Sequence, residues 1–401
     1  MEPLFFLAGI WLCISVIAAI IAYHLDVSFA LVEICLGVAA AAIAGHFFGK
    51  GSLGSSQPWL QFLASAGAVL LTFLAGAELD PVVMRTKVPE VSVIGFIGFL
   101  APFAGGTAAA SFILGWSVPS SFLGGIALST TSMAVVHAVM LETGLNRTDF
   151  GKGILGACFV NDLGTVIALG LMFSPFTYKS LVFIGVSALV IGLLPTVTKF
   201  LTRVYGNRTA AIRTKWIIAI LLGLGTLAYW SGSEAVLPAY VVGIVLAEFV
   251  TAEHLWLRRL RTLTTGLLTP FYFIRAGSFI SVPALVAAPA MVLLLFGAKV
   301  VSKIFGLFPL ISLFRKQPRE RWYYTLMMST GLTFGTLSSL YGLSHGIIDQ
   351  AQYSVLVATV IANAVIPTLI AQRMFLPKHL LAPAELKKHL LKVPEGSPAE
   401  E

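Results

Sequence analysis

Thirteen apolar runs divide this chain, at roughly 4–23, 27–47, 59–79, 90–115, 121–143, 151–174, 179–204, 214–232, 235–251, 262–281, 284–313, 322–345 and 351–376. Each is close to the ~20 residues that carry a helix across a bilayer. Soluble domains carry about 25% charged residues, and here the share is 11% against 57% hydrophobic. Too little polar surface is left to cover a soluble globule of 401 residues. The expected class is an all-α polytopic membrane protein. A membrane β-barrel is excluded, because its strands read as short alternating segments. The first run follows no basic stretch and precedes no small-residue cleavage site, so it reads as a spanning helix and not as a leader. Cys13, Cys35 and Cys158 lie singly inside apolar runs, with neither a disulfide framework nor a paired metal spacing.

The basic residues test the count. Connections after odd-numbered runs hold Arg85, Lys87, Arg147, Lys152, Arg203, Arg208, Arg213, Lys215, Arg258, Arg259, Arg261, Arg315, Lys316, Arg319 and Arg321. Connections after even-numbered runs hold Lys50 and Lys179. Positive residues stay on the cytoplasmic side. The N-terminus is therefore expected outside and the C-terminus inside, in a multi-pass protein of the inner or plasma membrane. The net charge of +8 is accounted for by these loops, not by a nucleic-acid partner. Residues 1–377 read as the membrane domain and 378–401 as a short polar cytoplasmic tail. There "KHLLAPAELKKHLLK" is either a basic amphipathic helix on the anionic leaflet or a frayed end. "GKGILG" at 151–156 lacks the spacing of a phosphate-cradling loop. No cofactor site is read anywhere.

Polarity gathers inside four runs. Asn161 and Asp162 stand side by side in the sixth, in "CFVNDLGTV". The fifth holds Ser129, Thr130, Thr131 and Ser132, and the twelfth holds "STGLTFGT", including Thr330 and Thr333. The eleventh holds Lys299 and Lys303, four residues apart and so on one helix face. A single hydroxyl in a spanning helix usually bonds the carbonyl one turn back. Four in a row, after Gly124 and Gly125, point all round the helix and suit a broken helix whose freed carbonyls line a cavity. An intramembrane aspartate is expensive and marks a functional site by default; the alternative for Asp162 is a structural ion pair with Lys303. Lys299 either compensates charge or snorkels toward a surface. His137 is either a proton relay or a packed neutral ring. Arg275 is expected to partner a carboxylate or helix-end carbonyls.

These features recur seven runs apart. "FLAGAELDP" (73–81) in the third run answers "FYFIRAGSFISVP" (271–283) in the tenth. The hydroxyl run of the fifth answers that of the twelfth, and Asn161-Asp162 in the sixth answers Asn363 in the thirteenth. An odd offset reverses orientation, so the chain reads as an inverted repeat, roughly 1–178 and 205–377, linked by the seventh run. Two crossing broken helices at mid-membrane beside a carboxylate describe a secondary transporter's ion site.

At these residues the chain resembles the monovalent cation:proton antiporters of the cation:proton antiporter-2 type, over nearly its whole length. "LLTFLAGAELD" (70–80), "STTSMAVV" (129–136), "TPFYFIRAG" (269–277) and "KIFG" (303–306) carry the resemblance. It implies the sodium/proton antiporter fold, a homodimer, and Asp162 as the group that alternately holds a monovalent cation and a proton. Asn161 would stand beside it, Ser129 to Ser132 with Thr330 and Thr333 would line the ion, and Lys303 would balance charge at the crossing. The chain departs from the family in having Asn161 where many members have a second carboxylate, the pattern of electroneutral relatives. It has no acidic residue among 329–336, and the sequence does not contain the nucleotide-binding domain of glutathione-gated potassium efflux relatives.

The expected activity is exchange of sodium or potassium for protons, one for one. A carboxylate in a low-dielectric interior resists ionisation, which suits it to trade a proton for a cation, and a hard singly charged ion takes oxygen ligands. A channel would need a continuous polar pore, and an enzyme something like HExxH or GxSxG; neither is present. The remaining rival is a sodium-coupled solute symporter of related topology.

Overall fold

A computed structural model describes residues 2–25, 28–49, 51–77, 86–173, 177–205, 211–233, 235–252 and 254–381. The described residues form helices and their connections, with no strand among them. The helices are α1 (Glu2–Leu25), α2 (Phe29–Phe47), α3 (Pro58–Ala77), α4 (Val88–Ala108), α5 (Val118–Ser129) and α6 (Met133–Glu142). Then come α7 (Asp149–Phe173), α8 (Tyr178–Tyr205), α9 (Ile212–Ser231), α10 (Val236–Ala252), α11 (His254–Leu263) and α12 (Thr269–Ser278). The series closes with α13 (Val282–Ala287), α14 (Pro289–Phe314), α15 (Pro318–Met328), α16 (Thr333–Ser344) and α17 (Gln350–Met374).

Among the described residues nine helices are long and apolar enough to cross a membrane. The other four apolar runs fall short for identifiable reasons. The fifth and twelfth are split, into α5/α6 and α15/α16, by non-helical backbone at 130–132 and 330–332. The tenth is interrupted by a π-helical stretch, Thr264–Leu268, ahead of Pro270. The ninth, α10, has only 17 residues. Two of the interruptions stand where hydroxyl runs remove the advantage of a continuous ladder, since their side chains bond nearby carbonyls instead. The tail beyond residue 381, with its candidate amphipathic helix, lies outside the described residues, as does Glu78.

The two split helices pack against each other in antiparallel halves. Leu123 of α5 touches Gly342 of α16, and a side chain at Gly335 would meet Ala127 O at 3.0 Å and Thr130 Oγ1 at 3.1 Å. Ser120 donates to Ile347 O at 2.8 Å near one end of that pair. The other halves, α6 and α15, share an apolar cluster with the start of α7 that includes Met133, Val136, Phe150, Ile154, Tyr323 and Met327.

Lipid tails give helices no hydrophobic reason to associate, so close backbone approach at small residues takes its place. Gly76 on α3 faces Tyr240 O and Gly243 on α10 faces Phe73 O, each where a Cβ would collide with backbone. Gly37 on α2 and Gly277 on α12 make the same contact with Ile274 O and Ile34 O.

Polar side chains tie the connections together at the two ends. At one end Lys87 donates to Asp149 O at 2.7 Å, and Arg315 reaches Glu90 Oε1 at 2.6 Å. His379 lies 2.7 Å from Glu320 at that same end. At the other, Arg275 Nε donates to Ser55 O at 2.8 Å and Ser354 Oγ accepts from Ser281 N at 2.8 Å. Among the described residues, the connections after the third, fifth and eleventh runs meet at the first end, and those after the second and tenth lie at the second.

Candidate ion-binding site

Each break exposes the carbonyls that end one half-helix and the amides that begin the next. The C-terminal ends of α5 and α15 bring partial negative charge to the crossing, and the N-terminal ends of α6 and α16 bring partial positive charge. The side chains around the crossing answer these ends one by one.

Lys299 and Lys303 hang from α14 and are both fully buried. Lys299 Nζ donates to Thr130 O at 3.0 Å. Gly331 stands where any Cβ would run into that ammonium, so the absence of a side chain makes room for it. Snorkelling is therefore overturned for Lys299: it caps a freed carbonyl at the crossing. Lys303 Nζ donates to Asn161 Oδ1 at 2.9 Å and Thr131 Oγ1 at 3.1 Å. Thr131 Oγ1 in turn donates to Met328 O at 2.9 Å, joining the end of α15 to the break after α5. Asn161 Nδ2 donates to Ser129 O at 3.1 Å. Gly98 on α4 leaves space for this amide, since a Cβ there would stand 3.1 Å from Asn161 Oδ1.

Asp162 is 1% exposed. The cations facing it are Lys303 and Lys299, and the Thr131 backbone amide is directed at it. Its Oδ1 has no hydrogen-bond partner. Among the described residues it makes no ion pair, so the structural pair with Lys303 is not what the structure contains. A buried carboxylate oxygen with nothing donating to it costs several kcal/mol unless a proton or cation satisfies it.

The predicted lining hydroxyls divide. Thr131 reaches the Asn161–Lys303 group directly. Ser129 Oγ and Thr130 Oγ1 donate to Ile126 O and Ala127 O within α5, and these two residues join the site through their carbonyls. Ser132 Oγ accepts from Val135 N at 3.5 Å and opens α6. Thr330 Oγ1 donates to Met327 O at 2.8 Å, while Thr333 begins α16. Thr165, one turn along from Asn161 and not singled out by sequence, donates to Asn161 O and sits 3.5 Å from Ser129 Oγ. Its spacing from Asn161 was the available signal. His137 is half-buried on α6. Arg275 holds a loop carbonyl, Ser55 O, in place of the expected carboxylate or helix-end carbonyls, and lies over the Phe279 ring at 4.9 Å.

Two crossing broken helices with a lone buried carboxylate beside them are the architecture of a secondary transporter's ion site. The chain belongs to the sodium/hydrogen exchanger transmembrane family, whose pattern matches residues 12–376. It is 25% identical over 386 residues to cation/H(+) antiporter 17 of Arabidopsis thaliana, covering 87% of this chain and 46% of that protein. It thus spans about half the length of that plant relative. It is 22% identical to the probable Na(+)/H(+) antiporter 3 of Methanocaldococcus jannaschii, covering 85% of this chain and 91% of that one. Its fold matches the sodium/proton antiporter MjNhaP1 of the same organism, with a TM-score of 0.69 at 14% identity over 94% of this chain and all of that one. The all-helical membrane fold and the family resemblance read from the sequence are borne out.

Proposed function

We propose that this chain is a secondary active transporter that exchanges a monovalent cation, sodium or potassium, for a proton by alternating access. The observation that carries the proposal is the buried Asp162 with an unpartnered Oδ1 at the meeting of the two broken helices. A proton or a dehydrated monovalent cation satisfies that oxygen, and the two compete for it. The cargo ion takes its further oxygens from Thr131 and Asn161 and from the carbonyls of the breaks.

Asn161 sets the stoichiometry. A neutral amide stands beside Asp162, so one carboxylate titrates, holding either one proton or one cation. With Lys303 charged throughout, exchange is one for one and electroneutral. The two ammonium groups offset the negative helix ends and hold the crossing together while the occupant changes. The basic loops support a cytoplasmic C-terminus and an external N-terminus, in an inner or plasma membrane. The working unit is a homodimer, as the family resemblance implies. Residues 1–178 and 205–377 act as the two inverted halves. Neither the family nor the relatives described above support the symporter alternative.

The test is a proteoliposome assay with an entrapped pH-sensitive dye, adding sodium, potassium, lithium and an impermeant cation in turn. Proton movement driven by sodium or potassium and not by the impermeant ion is expected. Proton movement that also requires an organic solute would return the symporter reading.

A further inference from the structure

The sequence draws attention to Asp162, and a second membrane-buried carboxylate escapes it. Glu33 lies in α2 between Val32 and Ile34, in a run that looks purely apolar, and is 2% exposed. Ser15 of α1 donates to its Oε1 at 2.8 Å. Its Oε2 is buried without a hydrogen-bond partner. Nothing in the crossing described above uses it.

Glu33 lines a cavity of 830 Å³ between α1 and α2 on one side and α6 and α17 on the other. The cavity walls include Thr262 at the end of α11 and Gln372 near the end of α17, at the end of the molecule that bears the basic loops. Its inner wall includes Val135, in the first turn of α6, three residues beyond the break at Ser132. Ala364 and Val365 form the facing wall. They follow Asn363, whose buried Oδ1 also has no partner. The cavity thus extends from one membrane face to the edge of the crossing. Glu33 is the one carboxylate lining it, and Tyr23 is the other titratable side chain there; no Lys, Arg or His lines it among the described residues. A single negative group in a low-dielectric funnel concentrates cations and repels anions.

We propose that Glu33 is an entry site for the transported monovalent cation, binding it through Oε2 and the Ser15 hydroxyl oxygen before it reaches Asp162. The step is electrostatic and breaks no bond. It rests on the exchange reading given above and adds a second carboxylate to the route. The site acts on one membrane face, because the cavity walls belong to that face.

Two experiments test it. In vesicles of known orientation, Glu33→Gln keeps the shape and the bond to Ser15 and removes the charge. The apparent KM for the cation presented at the cavity face should rise at least threefold, with the loss falling on KM and not on kcat, and Glu33→Asp should restore most of the affinity. An unchanged KM, or an equal rise at both faces, overturns the entry site while leaving exchange at Asp162 intact. Failure of the unmodified protein to exchange cations for protons sinks the exchange reading instead. Independently, Glu33→Cys is made in a chain where the exposed Cys13 and Cys35 are Ser and the buried Cys158 is kept. A charged, membrane-impermeant thiol reagent should label it from the face of the basic loops. Labelling by an uncharged, permeant reagent alone would mean that lipid tails fill the cavity, and the proposal falls.

Discussion

The ammonium of Lys303 lies 2.9 Å from Asn161 Oδ1 and within ion-pair distance of no described carboxylate, although Asp162 is the next residue along α7. The lysine is thus tied to the neutral member of the pair, and Asp162 keeps an oxygen for cargo.

The coupling ratio follows from that choice. One charge moved through 100 mV is worth about 2.3 kcal/mol, enough to displace an end point visibly. Purified protein in proteoliposomes should reach the same proton distribution with and without an imposed potential. Asn161→Asp places a second carboxylate on Lys303, lets the lysine proton enter the cycle, and should make the end point voltage-dependent. A voltage-dependent end point in the unmodified protein would overturn the one-for-one ratio, and Lys303→Gln would then show whether the lysine carries the second charge.

Replacing Asp162 by Asn should leave a folded protein that moves neither cation nor proton. The amide keeps the volume and supplies its own donor, so no fold cost is expected beyond about 1 kcal/mol. Retained cation-driven proton flux in a well-folded Asp162→Asn protein would end the mechanism.

Much of this was legible in the sequence because a bilayer leaves few choices. Backbone groups in lipid must be satisfied within helices, so run length gave the spans and loop charge their alternation. Asp162, Asn161, Thr131 and the lysines stood out because a polar group in lipid is costly, and the structure brings all of them to the crossing. Three things were not legible. Lys299 reads as free to snorkel, since nothing in sequence says that Gly331, in the break of a distant helix pair, leaves a space for its ammonium. The π-helical interruption before α12 depends on tertiary packing, with Leu268 O pressed where a Cβ on Gly67 would be. Glu33 is one charge in an apolar run, and its meaning comes from the cavity beside it.

Topology offers a separate check. Connections after the third, fifth and eleventh runs meet at one end, through Lys87 with Asp149 and Arg315 with Glu90. A reporter that fluoresces only in the cytoplasm, fused after Glu401, should be bright. A dark but well-expressed fusion would reverse the orientation.

Lys299 and Gly331 form one device and should behave as one. Lys299→Met removes a charged hydrogen bond to Thr130 O, worth about 2 kcal/mol. Gly331→Ala pushes the same ammonium aside and crowds Thr130 O, which the new Cβ would approach to 3.1 Å. Each should lower the Tm in detergent. The double variant should cost less than the sum of the two, because both act on one contact. Strict additivity would mean that the glycine serves some purpose other than housing the lysine.

The two central threonines give the sharpest separation within the hydroxyl run. Thr131 Oγ1 accepts from Lys303 and donates to Met328 O, so it links α14, α15 and the break after α5. Thr130 Oγ1 bonds back to Ala127 O within its own helix. Valine replaces either threonine with little change of shape and deletes the hydroxyl. Thr131→Val strands the Met328 carbonyl, leaves Lys303 with one side-chain acceptor, and removes an oxygen from beside Asn161 Oδ1. A loss near 1.4 kcal/mol is about tenfold in affinity, and that weakening of the apparent cation affinity is expected. Thr130→Val removes a local bond of the kind that Ser and Thr make in many spanning helices, and its effect should stay below about threefold. The comparison is read from cation-dependent proton flux across a concentration series in matched proteoliposomes. If the two variants are indistinguishable, the Thr131 bridge does not position the ion, and the run serves the break alone.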